Sequence, residues 1–126
     1  GRWIGLPLSM VTFQFKKNLH LFRKLSMTFV KPAYILLDTK INDPIAFEDY
    51  KAAAKPIVEK FGGKYLTRGG KMDVVQKDLW APVRIVLIQF PSMTAAHDFL
   101  DSPEYSPVKD IRLANSNTTL MVLEGL

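Results

Sequence analysis

Two glycine pairs constrain this chain more than any other feature. Gly62-Gly63 and Gly69-Gly70 bracket the short run Lys64-Tyr65-Leu66-Thr67-Arg68. Glycine reaches positive φ at little steric cost, so paired glycines mark sharp chain reversals. The spacing predicts a helix that stops at the first pair, a strand over 64–68, and a cation, Arg68, delivered to the end of that strand.

The flanking segments read in the same way. Residues 33–38, Ala33-Tyr34-Ile35-Leu36-Leu37-Asp38, are a strand apolar on both faces, which suits cover on both sides. Asn42 and Asp43 offer a cap and Pro44 is preset for a first helical turn. Phe47, Tyr50, Ala54, Ile57, Val58 and Phe61 then recur at helical spacing and predict a helix over 46–60. Pro56 removes one backbone donor inside it and is expected to kink or loosen it. Downstream, Met72-Asp73-Val74-Val75 reads as a short edge strand and 83–90 as the clearest strand of the chain. Residues 92–100 read as a helix capped by Ser92 or Thr94. Ser102-Pro103 opens a further helical segment to about Ala114, Asn115 to Asn117 break it, and 118–124 form the last strand.

The order is strand, helix, strand, strand, helix, strand. That is the α+β, ferredoxin-like βαββαβ arrangement, an antiparallel sheet with helices on one face. The other face needs cover, and a first strand apolar on both sides predicts a homodimer joined through the sheet face, a dimeric α/β barrel.

The chain has 126 residues, enough for one domain. With no cysteine, disulfides, thiolate metal sites and cysteine nucleophiles are excluded. The two histidines, His20 and His97, lie far apart, so no metal is expected, and nothing calls for a cofactor. The net charge of +5 belongs to residues 1–26, where Arg2, Lys16, Lys17, Arg23 and Lys24 meet no acid. The remaining twelve basic residues balance the chain's twelve acids, so no nucleic-acid footprint is expected on the body.

From Phe15 the leader reads as a basic amphipathic helix, with Phe15, Leu19, Phe22 and Leu25 on one side. It is read as an extension that folds onto the body, a targeting or membrane-surface segment, or a partner-docking arm. Met27 is a candidate initiator, which places the domain at 27–126. Lys16 and Lys17 interrupt the apolar run and no small-residue cleavage site follows, which is unlike a secretory signal. No stretch approaches the roughly 20 apolar residues of a membrane span. The expected location is the cytoplasm.

A set of elements resembles the family known as domain of unknown function 1330, over about residues 32–125. They are Asp43-Pro44 with Phe47 and Tyr50, Pro56, the Gly62–Gly70 segment, and Pro82-Val83-Arg84-Ile85-Val86. Phe90-Pro91, Ala95-Ala96, Ser102-Pro103-Glu104-Tyr105, Arg112 and Glu124-Gly125 complete it. The resemblance implies a ferredoxin-like fold of the dimeric α/β-barrel group and no established activity. Where the family usually carries an acid before the phenylalanine of the third strand, this chain has Gln89. The acidic-glycine step after the second strand is replaced around Gln76-Lys77.

Several polar residues are candidates for function. Arg68 and Arg84 lie on neighbouring strands and could clamp a carboxylate or phosphate through forked donors. Alternatively they pair with Asp38, Glu124 or Asp43. Tyr50 and Tyr105 are either ligand contacts in a pocket between helix and sheet or core aromatics with one hydrogen-bonded tip. His97, with Asp98 and Asp101 nearby, is either a general base or a surface residue. Asp43 and Ser102 read as helix caps. Ser102 has no nucleophile-elbow glycines around it, and the glycine segment lacks the Gly-Lys-Ser/Thr of a phosphate loop.

Three functions are compatible with these residues. The first is a small dimeric module binding an anionic or aromatic ligand through Arg68, Arg84, Tyr50 and Tyr105. The second is a cofactor-independent monooxygenase or isomerase using His97, Tyr50 or Tyr105, by analogy of fold. The third is a structural or interaction dimer.

Overall fold

The structure, a computed structural model, describes residues 30–126. The expected amphipathic leader helix and the boundary near Met27 lie outside the described residues. The chain runs β1 (Ala33–Ile41), α1 (Pro44–Lys60), β2 (Lys64–Arg68), β3 (Ile85–Phe90), α2 (Met93–Asp101), α3 (Ser106–Asn115) and β4 (Ser116–Glu124). The strands form one sheet in the order β2-β3-β1-β4, with every neighbouring pair antiparallel. This is the expected ferredoxin-like α+β fold.

Alternation along the strands decides what faces what. Ala33, Ile35, Leu37 and Thr39 of β1 are buried, as are Val86, Ile88 and Phe90 of β3. They meet Phe47, Tyr50, Ala54 and Val58 of α1, Ala96 and Phe99 of α2, and Tyr105 and Val108 in one core. The opposite sheet face carries Tyr34, Leu36, Ile85, Leu87, Met121 and Leu123, all half-buried or exposed. Register places Leu36 opposite both Leu87 and Met121, so this apolar stripe crosses three strands.

The caps are as the residue types require. Asp43 Oδ1 accepts hydrogen bonds from the Ile45 and Ala46 N–H groups, both at 3.1 Å, and Pro44 opens α1. The helix ends with the Gly62 N–H on the Glu59 carbonyl and the Gly63 N–H on the Val58 carbonyl, with Gly62 at φ +82°. That pair of bonds is the Schellman ending that a left-handed glycine permits. Pro56 lies inside α1, which runs through it without a break.

The other departures concern boundaries. Residues 72–75 form no strand; Val75 is 90 % exposed and finds no apolar surface. The adjacent edge strand β2 is short and bulged between Tyr65 and Thr67, so it offers little ladder to extend. The expected strand over 83–90 starts at Ile85, because the Val83 and Arg84 N–H groups are both taken by Asp38 Oδ1. The helix expected from Ser102 begins at Ser106. Ser102 instead makes a turn, with its Oγ accepting from the Tyr105 N–H and donating to the Phe99 carbonyl. No break separates α3 from β4: β4 starts at Ser116, directly after Asn115. The Asn115 carbonyl accepts from the Asn42 and Asp43 N–H groups, which fastens that corner to the start of α1.

Candidate functional site

One polar cluster lies on the helix-covered face of the sheet. Helical spacing on α1 puts Phe47 and Tyr50 on its buried side. The Ser102 turn buries Tyr105, which is 1 % exposed. Their hydroxyls meet at 2.9 Å, and Arg112 of α3 donates from Nε to Tyr105 Oη at 3.3 Å. Burial raises the Tyr50 phenol well above its ordinary value; Tyr105 adds to this by charge and by hydrogen bond, while Arg112 opposes it. Tyr50 is therefore a neutral hydroxyl at physiological pH. Burial also raises Tyr65, against the opposing charge of Arg68.

The arginines approach this cluster from the sheet. Arg68 pairs in register with Val86, on the helix-facing side. Its guanidinium lies 4.3 Å from the Tyr65 ring centroid, and Nη2 donates to the Lys51 carbonyl at 2.7 Å. That carbonyl adjoins Ala52, whose own carbonyl loses its helical donor to Pro56. Arg84 stands two residues before Val86 and lies 5.5 Å from the Phe47 ring centroid. It packs against the bare backbone of Gly69, where a Cβ would come within 2.6 Å of Nε. Gly69 sits at φ +71°, so glycine here serves both the turn and this close approach. Burial lowers the Arg84 pKa, the Arg68 charge lowers it further, and Glu48 works the other way. Arginine stays protonated nonetheless.

No carboxylate answers these cations among the described residues. The ion pairs there are Lys31–Glu124, Lys51–Glu48 and Lys60–Glu104, and none includes an arginine. The partners the sequence offered are engaged elsewhere: Glu124 with Lys31, Asp43 in capping α1, and Asp38 with backbone. The structure thus brings Arg68 and Arg84 to one face and joins Tyr50 to Tyr105. His97 is exposed on α2 and has no hydrogen bond or ion pair among the described residues.

Asp38 holds the site from behind. It points to the opposite sheet face, where Oδ1 accepts from the Val83 and Arg84 N–H groups at 2.8 and 3.1 Å. Oδ2 accepts from Trp80 Nε1 at 3.1 Å. Burial acts to raise its pKa, but these three bonds outweigh it and the carboxyl lies below its ordinary value. A folded state that binds the proton less tightly than the unfolded chain gains stability above about pH 4 and loses it on further acidification. Asp38→Asn is therefore expected to melt lower than the parent at pH 7 and to flatten the fall in melting temperature between about pH 5 and pH 2, read by thermal melts across that range.

Two surface hollows lie apart from the cluster. One, about 450 Å³, is lined by Gln76, Lys77, Asp78, Leu79, Trp80 and Pro82. The other, about 300 Å³, is lined by Asp38, Lys40, Val83, Asn117, Thr118 and Thr119. Neither gathers several like-charged groups, so it is unpaired charge rather than concavity that singles out the arginine and tyrosine cluster. Among the described residues no group of three His, Asp or Glu side chains could hold a metal, and no helix is long and apolar enough to cross a membrane.

Sequence reasoning left two residues without their roles. Arg112 entered only as part of the family resemblance, although Tyr105, Val108 and Arg112 fall at i, i+3 and i+7, one helical face. Asp38 entered only as a partner for the arginines; its hold on the Val83–Arg84 backbone depends on register.

Fold and cluster define a ferredoxin-like α+β protein with two arginines and a buried tyrosine pair on the helix-covered side of its sheet. The chain belongs to the family described as domain of unknown function (DUF1330), whose model matches residues 32–126. Among solved structures it is similar to RPA0582, a protein of unknown function from Rhodopseudomonas palustris. The two share 18 % identity over 85 % of this chain and 92 % of that one, with a TM-score of 0.62. It is also similar to SnoaB, a cofactor-independent oxygenase from Streptomyces nogalater, at 15 % identity over 75 % and 92 % of the chains, TM-score 0.58. A hypothetical Arabidopsis thaliana protein, At3g17210, matches at 14 % identity over 77 % and 89 %, TM-score 0.56. At these identities the likeness is one of fold. No curated protein matches the chain significantly.

Proposed function

We propose that this protein binds a small anionic, aromatic ligand between helices and sheet, with Arg68 and Arg84 as the cationic contacts and Tyr50 and Tyr105 as the polar wall. The observation that carries the reading is Arg84: a half-buried guanidinium, beside a second one, with no carboxylate partner among the described residues. Like charges held together disfavour the fold unless an anion joins them. The Tyr65 and Phe47 rings hold the two guanidinium groups in place by cation–π contact. Benzoate is the simplest probe. Arg84→Gln is expected to weaken benzoate binding by about 10- to 100-fold by calorimetry, the range of a lost charge-assisted hydrogen bond. Unchanged affinity in a folded Arg84→Gln protein rejects the assignment.

The reading includes a homodimer in which the open sheet face is covered by a second copy. The apolar stripe of Leu36, Leu87, Met121 and Leu123 supports it. A charge there opposes burial, so Leu36→Asp is expected to halve the mass measured by sedimentation while leaving the circular dichroism spectrum intact. A chain that sediments as a monomer before substitution contradicts this part. A cytoplasmic location and the absence of nucleic-acid binding rest on the sequence, the latter on the even charge of residues 27–126.

The likeness to SnoaB favours a second reading, a cofactor-independent oxygenase. Under it the Tyr50–Tyr105 pair, held neutral by burial, acts as hydrogen-bond or proton donor rather than as base. Oxygen uptake with dihydroxyaromatic compounds, lost in Tyr50→Phe/Tyr105→Phe, separates turnover from binding alone.

A further inference from the structure

Arg112 is the most deeply buried cation among the described residues. Its residue exposure is 5 %, and its one side-chain hydrogen bond there runs from Nε to the Tyr105 hydroxyl. No carboxylate lies within ion-pair distance. Asp110, two residues away on α3, is exposed, and Glu104 faces Lys60. Burying a guanidinium without an opposing charge is unfavourable, and a phenol hydroxyl does not neutralise it. Helix geometry does not require the burial either. A cation in the last turn of α3 already interacts with the helix dipole from the surface. No sealed side-chain nitrogen or oxygen among the described residues lacks a partner. The two Nη groups make no hydrogen bond among the described residues.

We infer that Arg112 is the inner anchor of the site, a specificity residue that recognises a second oxygen on the ligand beyond the anion held by Arg68 and Arg84. The inference rests on the binding function proposed above and narrows it to acids with a carboxylate at one end and a phenolic or carbonyl oxygen at the other. Tyr50 connects the two ends: it bonds to Tyr105, the partner of Arg112, and it lies within electrostatic reach of both Arg84 and Arg112. Arg112 contributes an Nη donor to the distal oxygen, while Tyr105, already accepting from Nε, is held in its hydroxyl pair with Tyr50.

The test compares 4-hydroxybenzoate with benzoate on four proteins: parent, Arg84→Gln, Arg112→Met and Arg112→Lys. Methionine approximates the stem volume and removes the charge. The parent is expected to prefer 4-hydroxybenzoate by about tenfold, the scale of one charge-assisted hydrogen bond. Arg112→Met is expected to lose that preference, keep benzoate affinity within about twofold, and melt no lower than the parent without ligand. Arg112→Lys should restore part of the preference. Retained preference in Arg112→Met, or a clear drop in its ligand-free melting temperature, overturns the inference and makes Arg112 structural. If Arg84→Gln alone weakens both acids, the binding function stands and the inference about Arg112 fails. If the parent binds neither acid, both fail.

Discussion

Phe99→Ala is expected to destabilise the fold by about 3–5 kcal/mol. Phe99 is 2 % exposed and lies where three aromatic contacts meet. Its ring centroid stands 5.5 Å from Phe90, 6.2 Å from Phe61 and 4.4 Å from Tyr105. Those partners belong to β3, the end of α1 and the Ser102 turn, so one α2 side chain joins the sheet to α1 and to the turn before α3. Truncation removes the transfer free energy of the ring and leaves a cavity that Phe90 and Tyr105 can close only by moving. Tyr105 is the residue whose hydroxyl meets Tyr50 and Arg112, so the loss extends to the site. Denaturant melts are the measurement; a change under about 1 kcal/mol means that the aromatic cluster is not the keystone described here.

Gly69→Ala is expected to weaken aryl-acid binding about as much as Arg84→Gln does, without removing any charge. The new Cβ would stand 2.6 Å from Arg84 Nε and 2.8 Å from Nη2, closer than real contacts permit. The guanidinium therefore has to leave the Phe47 ring and its place beside Arg68. Positive φ at this residue adds roughly 1–2 kcal/mol of strain for an L side chain. A folded Gly69→Ala protein should show benzoate affinity as poor as that of Arg84→Gln, at a stability cost readable in the same melts. The double variant should be no worse in binding than either single one, because both remove the same contact. Full binding by Gly69→Ala would mean that the position of Arg84 over Phe47 is irrelevant to the ligand.

Much of this architecture is legible in the sequence because local chemistry decides it. Asp43-Pro44 starts α1 and Gly62-Gly63 ends it, since each position asks for a residue type that few others supply. The apolar runs in residues 33–38 and 83–90 specify two central strands, and strand order follows from the fold once the helices are placed. Boundaries were misread where a side chain competes with the ladder or the helix. Asp38 takes the N–H groups of Val83 and Arg84 and delays β3, and Ser102 closes a turn where a helix was expected. The Asp38 contact is not visible without register, because Asp38 and Val83 are 45 residues apart.

The site was legible in part for the same reason. Arg68 and Arg84 fall on or beside neighbouring strands, but that they share a face is set by register, which the sequence does not give; Tyr50 follows from helical spacing. The burial of Arg112 does not follow, because a lone arginine near a helix C-terminus is an ordinary surface residue until the Tyr105 turn covers it. The first strand, apolar on both faces, predicted cover on both sides; the described residues cover one, and the stripe through Leu36 is what the proposed second copy would bury.

Arginine side-chain NMR tests the central claim most directly. Benzoate titrated into protein labelled at arginine Nε should move the Arg84 and Arg68 resonances together and saturably, with one dissociation constant. Resonances that stay fixed, or that drift linearly with added salt, would contradict a built anion site between these arginines.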